Sequence, residues 1–238
     1  MTTPEKRTII CDAGNLTSPK YVADTMSRTL WRFGKTHIDA ILISHADNDH
    51  FNGIPLLADR FSIGVVLISP YASAVQNMPS WSQLLAKLEE KRIPVRIIGE
   101  GDDLSEYGLS ESVILHPPKN NHLAGTPAWT AENTNATSLV LRLEHHGIGI
   151  ILPGDLDGRE PSPFLLGKPQ PTEIVMVPHH GGKSMQTDRL LEWTTPKTLI
   201  FSTGKLTYKP EQLEQFRQRG YEVRSTFTDG VIEINIEK

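Results

Sequence analysis

The side chains best suited to chemistry gather first at His45-Ala46-Asp47-Asn48-Asp49-His50, which runs on into Phe51-Asn52-Gly53. Four side chains of metal-ligand type within six residues make a compact cluster possible. On an extended segment His45 and Asp47 project to one side, and Asp49 and His50 can face the same region as the chain turns toward a helix. Imidazole nitrogens with carboxylate oxygens suit Zn, Mn or Fe, and carboxylates without sulfur favour the harder ions, with room for two neighbouring metals. The plainer alternative is a polar strand-to-helix turn in which Asn48 or Asp49 only caps the helix. Further along, Asp155 follows Pro153-Gly154, and His179-His180 follows Pro178. Each sits just beyond an apolar run, where an α/β sheet presents functional residues. For these the ordinary readings are a turn carboxylate and a capping and packing pair.

Such residues need strands and helices to hold them. Short β-branched apolar runs alternate with amphipathic stretches, which is the pattern of an α/β protein. Strands are expected over residues 8–12, 38–44, 64–69, 95–99, 112–116, 138–144, 149–153, 173–178 and 198–202, and over 221–228 paired with 231–236. His146-Gly147 and Asp229-Gly230 read as hairpin turns, because both pairs tolerate positive φ. Ser18-Pro19 opens a helix with Val22, Met26, Leu30 and Phe33 on one face and Gly34 at its end. Ser80-Trp81-Ser82-Gln83 has the capping-box pattern ahead of Leu84, Leu85 and Leu88. A third helix starts at Pro210, buries Leu213 and Phe216, and ends at Gly220. Residues 117–137 carry no period and read as a long loop, a kind that is often functional. No break in composition marks a second domain, so residues 1–238 are read as one.

Composition narrows the field. Apolar residues make up 38% and charged residues 22%, as in a globular protein large enough to build a real core. No apolar run approaches the roughly 18 residues of a membrane span, and residues 1–7 do not resemble a secretory signal, so the sequence assigns no compartment. One cysteine, Cys11, excludes a disulfide framework and a cysteine-rich zinc site, and reads as a small buried hydrophobe. A net charge of −4 argues against strong non-specific attraction to nucleic acid, while leaving room for a local basic groove. Among the remaining histidines, His145 and His146 fall at a hairpin tip and read as solvated. His116 reads as structural, and His122 lies in the long loop with no role assigned.

The pattern His45-x-Asp47-x-Asp49-His50 resembles the metallo-β-lactamase superfamily signature, which usually carries His where Asp47 stands. With Asp there, and with Ser44, Ala46 and Gly53 as neighbours, it is similar to the β-lactamase-like domain of the ComEC competence proteins. Asp12-Ala13-Gly14, Asn135 to Leu141, Leu152 to Asp155 and Val177 to Ser184 agree with that domain in kind and order. The resemblance implies a four-layer αβ/βα sandwich with metals held in loops at one edge. It implies one or two divalent ions, Zn or Mn. His45, Asp47 and one of His179 or His180 would hold one metal, Asp49 and His50 the other, and Asp155 would bridge them. Asp12 would support the ligands from behind. Asp49, His50 and Asp155 would then serve catalysis by a metal-bound hydroxide. Asn135, Ser138, Lys183 and Ser184 would assist through hydrogen bonds or charge.

The chain departs from this branch in three places. It has no additional metal-binding His near Asn135 to Ser138. Lys209-Pro210 stands where a His-Pro is common, so that Lys209 becomes a candidate phosphate-binding cation. Residues 1–6 do not supply the strand pair that usually precedes the Asp-Ala-Gly segment, so the fold is expected to lack the first strands. This leaves a shortened domain or a piece of a larger membrane-associated protein or complex. The leading expectation is a metal-dependent hydrolase of phosphodiesters, a ComEC-like nuclease acting on DNA in the setting of DNA uptake and competence. The alternatives are a hydrolase of a small lactam, lactone or thioester, and a metal-stabilised binding domain without turnover.

Overall fold

The computed structural model describes residues 1–72, 78–119, 134–182 and 184–236. Within it the chain is an α/β protein with two sheets flanked by helices, and it divides into two compact units, Met1–Ser110 and Glu111–Lys238.

The first unit holds a sheet of order β1-β2-β3-β4, built from β1 (Ile9–Cys11), β2 (His37–Ile43), β3 (Ser62–Ile68) and β4 (Val95–Ile97). Every pairing is parallel, so each pair needs a crossover. Helices α1 (Pro19–Arg32), α2 (Asn48–Phe51), α3 (Ile54–Ala58) and α4 (Pro79–Glu90) supply them. Ala40 to Ile43 are all buried, as suits an inner parallel strand, and β2 therefore delivers Ser44 and His45 from a rigid support. Ile38, Ile41, Phe51, Ile54, Leu57, Val66, Trp81 and Leu84 fill the core. Phe51 directly follows His50 and meets Trp81 edge-on, with ring centroids 5.0 Å apart. Such a pair adds about 0.5–1.5 kcal/mol beyond area burial, and here it pins the short helix that carries Asp49 and His50.

The second unit holds a six-stranded sheet of order β10-β9-β8-β7-β6-β5. Its strands are β5 (Ser112–His116), β6 (Val140–His145), β7 (Ile148–Leu152), β8 (Ile174–Met176), β9 (Thr198–Phe201) and β10 (Glu222–Ser225). The β5–β6 and β6–β7 pairs are antiparallel and the remaining three are parallel. Helices α5 (Thr187–Thr194) and α6 (Pro210–Gln218) pack Leu190, Leu191, Trp193, Leu213 and Phe216 into its core.

Several local expectations agree with the structure. Ser18 caps α1 by accepting from the Tyr21 amide, and Gly34 follows with φ 67°. His146 and Gly147 have φ 49° and 77°, the positive values that a tight β6–β7 turn requires. Others are corrected. The second hairpin does not form: Ser225 accepts from the Phe227 amide and starts a short helix, α7 (Thr226–Asp229), while residues 231–236 hold no strand. The capping box at Ser80 is displaced by Pro79, whose fixed φ suits the first helical position and moves the cap to Met78. Phe33 and Leu85 are exposed rather than lining the buried faces of their helices, and Cys11 is half-buried at the end of β1. Residues 120–133 of the long loop, His122 included, lie outside the described residues, and its end, Thr134–Thr137, is a 3-10 turn.

Candidate metal centre

In the first unit the sequence motif folds around Asp12. That residue leaves β1 with φ 56°, a left-handed conformation that Asp tolerates better than most residues. Its amide donates to the Leu42 carbonyl, and the Ala13 amide donates to the carbonyl of His50 at 2.7 Å. Gly53 N–H returns to the Ala13 carbonyl at 2.9 Å, closing a backbone zip between the two motifs. A side chain at Gly14 would overlap the Asp49 carbonyl, so the third residue of Asp-Ala-Gly has to be glycine. Asn15 and Asn52 clip the same junction through Asn15 N to Asn52 Oδ1 and Asn52 Nδ2 to Asn15 O.

The zip places one carboxylate behind two imidazoles. Asp12 Oδ1 accepts from the Ser44 amide at 2.7 Å, and Oδ2 accepts from the Ser44 hydroxyl and from His50 Nδ1, both at 2.8 Å. The Ser44 proton is thereby committed to Asp12, so at 3.0 Å the Ser44 oxygen acts as acceptor for His45 Nδ1–H. The tautomers follow from this chain of bonds: both rings carry their proton on Nδ1 and leave Nε2 unprotonated, an arrangement that suits metal-binding histidines. The two ring centroids are 4.1 Å apart. His45 Nε2 is buried, has no hydrogen-bond partner among the described residues, and faces Asp47 Oδ2 at 3.4 Å. Burial pushes the Asp12 carboxyl up. The charge and hydrogen bond of His50, the Ser44 amide and the charge of His45 outweigh that and hold it below the usual carboxylate range.

In the second unit Asp155 and the His pair come together at the ends of β7 and β8. Gly154 turns with φ 56°, and Asp155 is buried just after it. His179 N–H donates to the Gly154 carbonyl at 3.3 Å. His179 Nε2 and His180 Nε2 lie 4.0 Å and 3.7 Å from the Asp155 oxygens. His179, His180 and Gly181 all have positive φ, at 54°, 54° and 78°. Successive non-glycine residues in that region are strained and cluster at functional sites. His180 Nδ1 lies 3.0 Å from the Ser202 carbonyl, which can only accept, so this ring too has its proton on Nδ1.

Within each unit the donors therefore suit a divalent cation: imidazole Nε2 atoms beside carboxylate oxygens, backed in the first by Asp12 and Ser44, where His45 Nε2 has no hydrogen-bond partner among the described residues, and in the second by the Ser202 carbonyl. The supporting residues are placed unevenly. Ser184 donates its hydroxyl to the Leu156 carbonyl at 2.9 Å, so its proton is used within the protein. Ser138 is fully buried, Asn135 is half-buried in the 3-10 turn, and Lys209 stands exposed at the N-terminus of α6. Lys183 lies outside the described residues. Two structural roles were not read from the sequence. Ser44, taken only as a matching neighbour, is the relay between Asp12 and His45, and Gln186 is buried among main-chain partners.

A family model described as "Metallo-beta-lactamase superfamily" matches residues 2–126. ComE operon protein 3 of Bacillus subtilis (strain 168) is 26% identical over 205 residues, which is 84% of this chain and 25% of the relative. The chain thus spans about a quarter of the length of that curated relative. Among solved structures, Zn(2+)-bound PqqB from Methylobacterium extorquens aligns with TM-score 0.55 at 12% identity, over 94% of this chain and 83% of that one. The CmlA beta-hydroxylase E377D mutant aligns with TM-score 0.52 at 14% identity, over 80% of this chain and 43% of that one. At such identities the two structures speak for the fold alone.

Proposed function

The chain belongs to the metallo-beta-lactamase superfamily, and on that premise we propose that it is a metal-dependent hydrolase of phosphodiester bonds, with DNA as the candidate polymer. The observation that carries this reading is the way His45 and His50 in one unit, and His180 in the other, hold their protons on Nδ1. We take them, with Asp47 and Asp49 in the first unit and Asp155 and His179 in the second, as candidate ligands, with no cysteine among them. Carboxylate-rich sites without sulfur suit Mn or Zn, and the likeness to PqqB, described as Zn(2+)-bound, is in keeping with that choice. The sequence similarity to ComE operon protein 3, together with Asp47 in place of the more common His, supports a ComEC-like nuclease over a lactam hydrolase.

One or two divalent ions at these residues would supply Lewis acidity, activating water near neutral pH and polarising a phosphoryl oxygen. The chain's own part is orientation. Asp12 and Ser44 hold the His45 and His50 protons on Nδ1, and the Ser202 carbonyl does the same for His180. Asp12 would also stabilise the positive charge that a bound cation draws onto the two rings. Lys209, exposed at its helix start, is a candidate cation to draw in a phosphate group.

The test is a cleavage screen of the Mn- and Zn-loaded chain on single- and double-stranded DNA, RNA, bis(p-nitrophenyl) phosphate and nitrocefin. Cleavage of a phosphodiester that disappears with EDTA and in Asp49→Ala supports the reading. Turnover of nitrocefin alone, or phosphodiester cleavage that is equal in Asp49→Ala, overturns it.

A further inference from the structure

The residues that carry Asp155 and the His pair are tied to each other by a set of bonds that centres on Gln186. This residue is fully buried and caps the start of α5, where the Leu190 amide donates to its carbonyl at 2.8 Å. Its side-chain amide spends every group on the segment that follows Asp155. Nε2 donates to the Gly158 carbonyl at 2.8 Å and to the Glu160 carbonyl at 2.5 Å, and Oε1 accepts from the Ser162 amide at 3.4 Å. Ser184 and Met185 extend the seam. The Ser184 hydroxyl donates to the Leu156 carbonyl at 2.9 Å, and the Met185 amide donates to Asp157 Oδ1 at 3.1 Å. The Gln186 amide in turn donates to Ser184 Oγ at 3.1 Å.

Two segments 24 to 28 residues apart are thus stitched together, each a short way after its ligand-type residues. α5 anchors the seam to the core through Leu190, Leu191 and Trp193. A loop needs such support, because a strained backbone persists only where its surroundings over-determine it, and His179 and His180 are strained. Burying a primary amide is unfavourable unless each of its groups is bonded, and here they are. Glutamine also has the reach and the two-donor, one-acceptor pattern that this trio of main-chain atoms demands.

We propose that Gln186 is a positioning residue for the metal site: it fixes the spacing of Asp155 to His179 and His180 and so sets metal affinity without touching the ion. Ser184 is the second stitch of the same seam. This role rests on the metal reading above.

The experiment measures Zn2+ affinity by competition with a chelator, and the visible spectrum of the Co2+-loaded chain, for wild type, Gln186→Met, Ser184→Ala and Leu213→Ala. Gln186→Met keeps the volume and removes all three bonds. Leu213→Ala opens the same core on α6, breaks none of the bonds of the seam, and controls for lost stability. The expected result is a fall in affinity of about 10–100-fold with an altered Co2+ spectrum in Gln186→Met, the range usual for groups that orient ligands. A smaller loss is expected in Ser184→Ala, with wild-type affinity and spectrum in Leu213→Ala despite a lower Tm. If Gln186→Met does not fold, Ser184→Ala carries the test alone. Wild-type affinity and spectrum in the folded seam variants, or a loss matched by Leu213→Ala, overturns the proposal. A wild-type chain that takes up no metal instead overturns the metal reading, and this role with it.

Discussion

The first unit orients His45 and His50 through side chains, the Ser44 hydroxyl and the Asp12 carboxylate, whereas the second orients His180 through a main-chain carbonyl, that of Ser202. The supports differ as well. Asp49 and His50 ride on a regular helical turn zipped to Ala13, while His179 and His180 hold left-handed backbone and are followed by the bonded seam around Gln186. One unit rests on a buried carboxylate relay with one left-handed residue, Asp12, and the other mainly on main-chain bonds around two successive left-handed histidines. The first is therefore sensitive to charge and the second to shape.

The largest effect is expected where a ligand itself is removed. His45→Ala takes away a buried Nε2, and isothermal titration with Zn2+ should show a loss beyond about 100-fold, the upper end of what supporting groups give. A comparable loss in His180→Ala would put the two units on an equal footing; a much smaller one would make the first unit dominant. Next comes a pH effect in the second unit. Burial lowers the His116 ring to about 4, although its Nε2 donates to the Ala136 carbonyl. The unfolded chain takes up that proton first as pH falls. Stability is thus fully present above the ordinary value near 6.5 and drains away as pH drops toward 4, by about 3 kcal/mol. Urea melts between pH 7 and 4 should flatten in His116→Gln, which can keep the bond to Ala136 without titrating. An unchanged slope would show that acid acts elsewhere.

The third effect tests the charged relay. Asp12→Asn keeps an acceptor for the Ser44 amide and removes the carboxylate charge, and metal affinity should fall about 10–100-fold. Retained affinity would mean that Asp12 matters to folding alone. The smallest effect tests shape. Gly181→Ala pushes a methyl group into the Phe201 ring, 2.6 Å away, and should lower stability in thermal melts by about 1–3 kcal/mol. Gly147→Ala meets only open space at a similar φ and should lose about 1–2 kcal/mol of left-handed strain, a cost that Gly181→Ala carries in addition to its crowding. Equal losses would deny that crowding around the His pair is what matters.

Much of this was legible in the residues themselves. The ligand-type cluster shows in its spacing, and the strands ahead of it show because inner parallel strands read as unbroken apolar runs, as in Ala40 to Ile43. The β6–β7 turn shows because His146-Gly147 can take positive φ. What stayed hidden depends on competition or on distance. Asp229-Gly230 looks equally good as a turn, yet Asp229 Oδ2 takes up Arg224 and the Ser225 amide and Ser225 caps the next residues, so a helical turn forms there. Pro79 outbids Ser80 for the helix start by geometry alone. Gln186 gives no signal in sequence, because its partners are main-chain atoms of a segment 24 to 28 residues earlier. The Asp12–Ser44 relay gives only a faint one, a carboxylate and a hydroxyl each standing just after an apolar run.

The most direct test is the metal content of the chain after loading with Mn2+ or Zn2+ and exhaustive dialysis, read by inductively coupled plasma mass spectrometry beside His45→Ala. The account predicts one or two ions bound per wild-type chain, and a marked loss in the variant. A wild-type chain that retains no metal under either loading would contradict it.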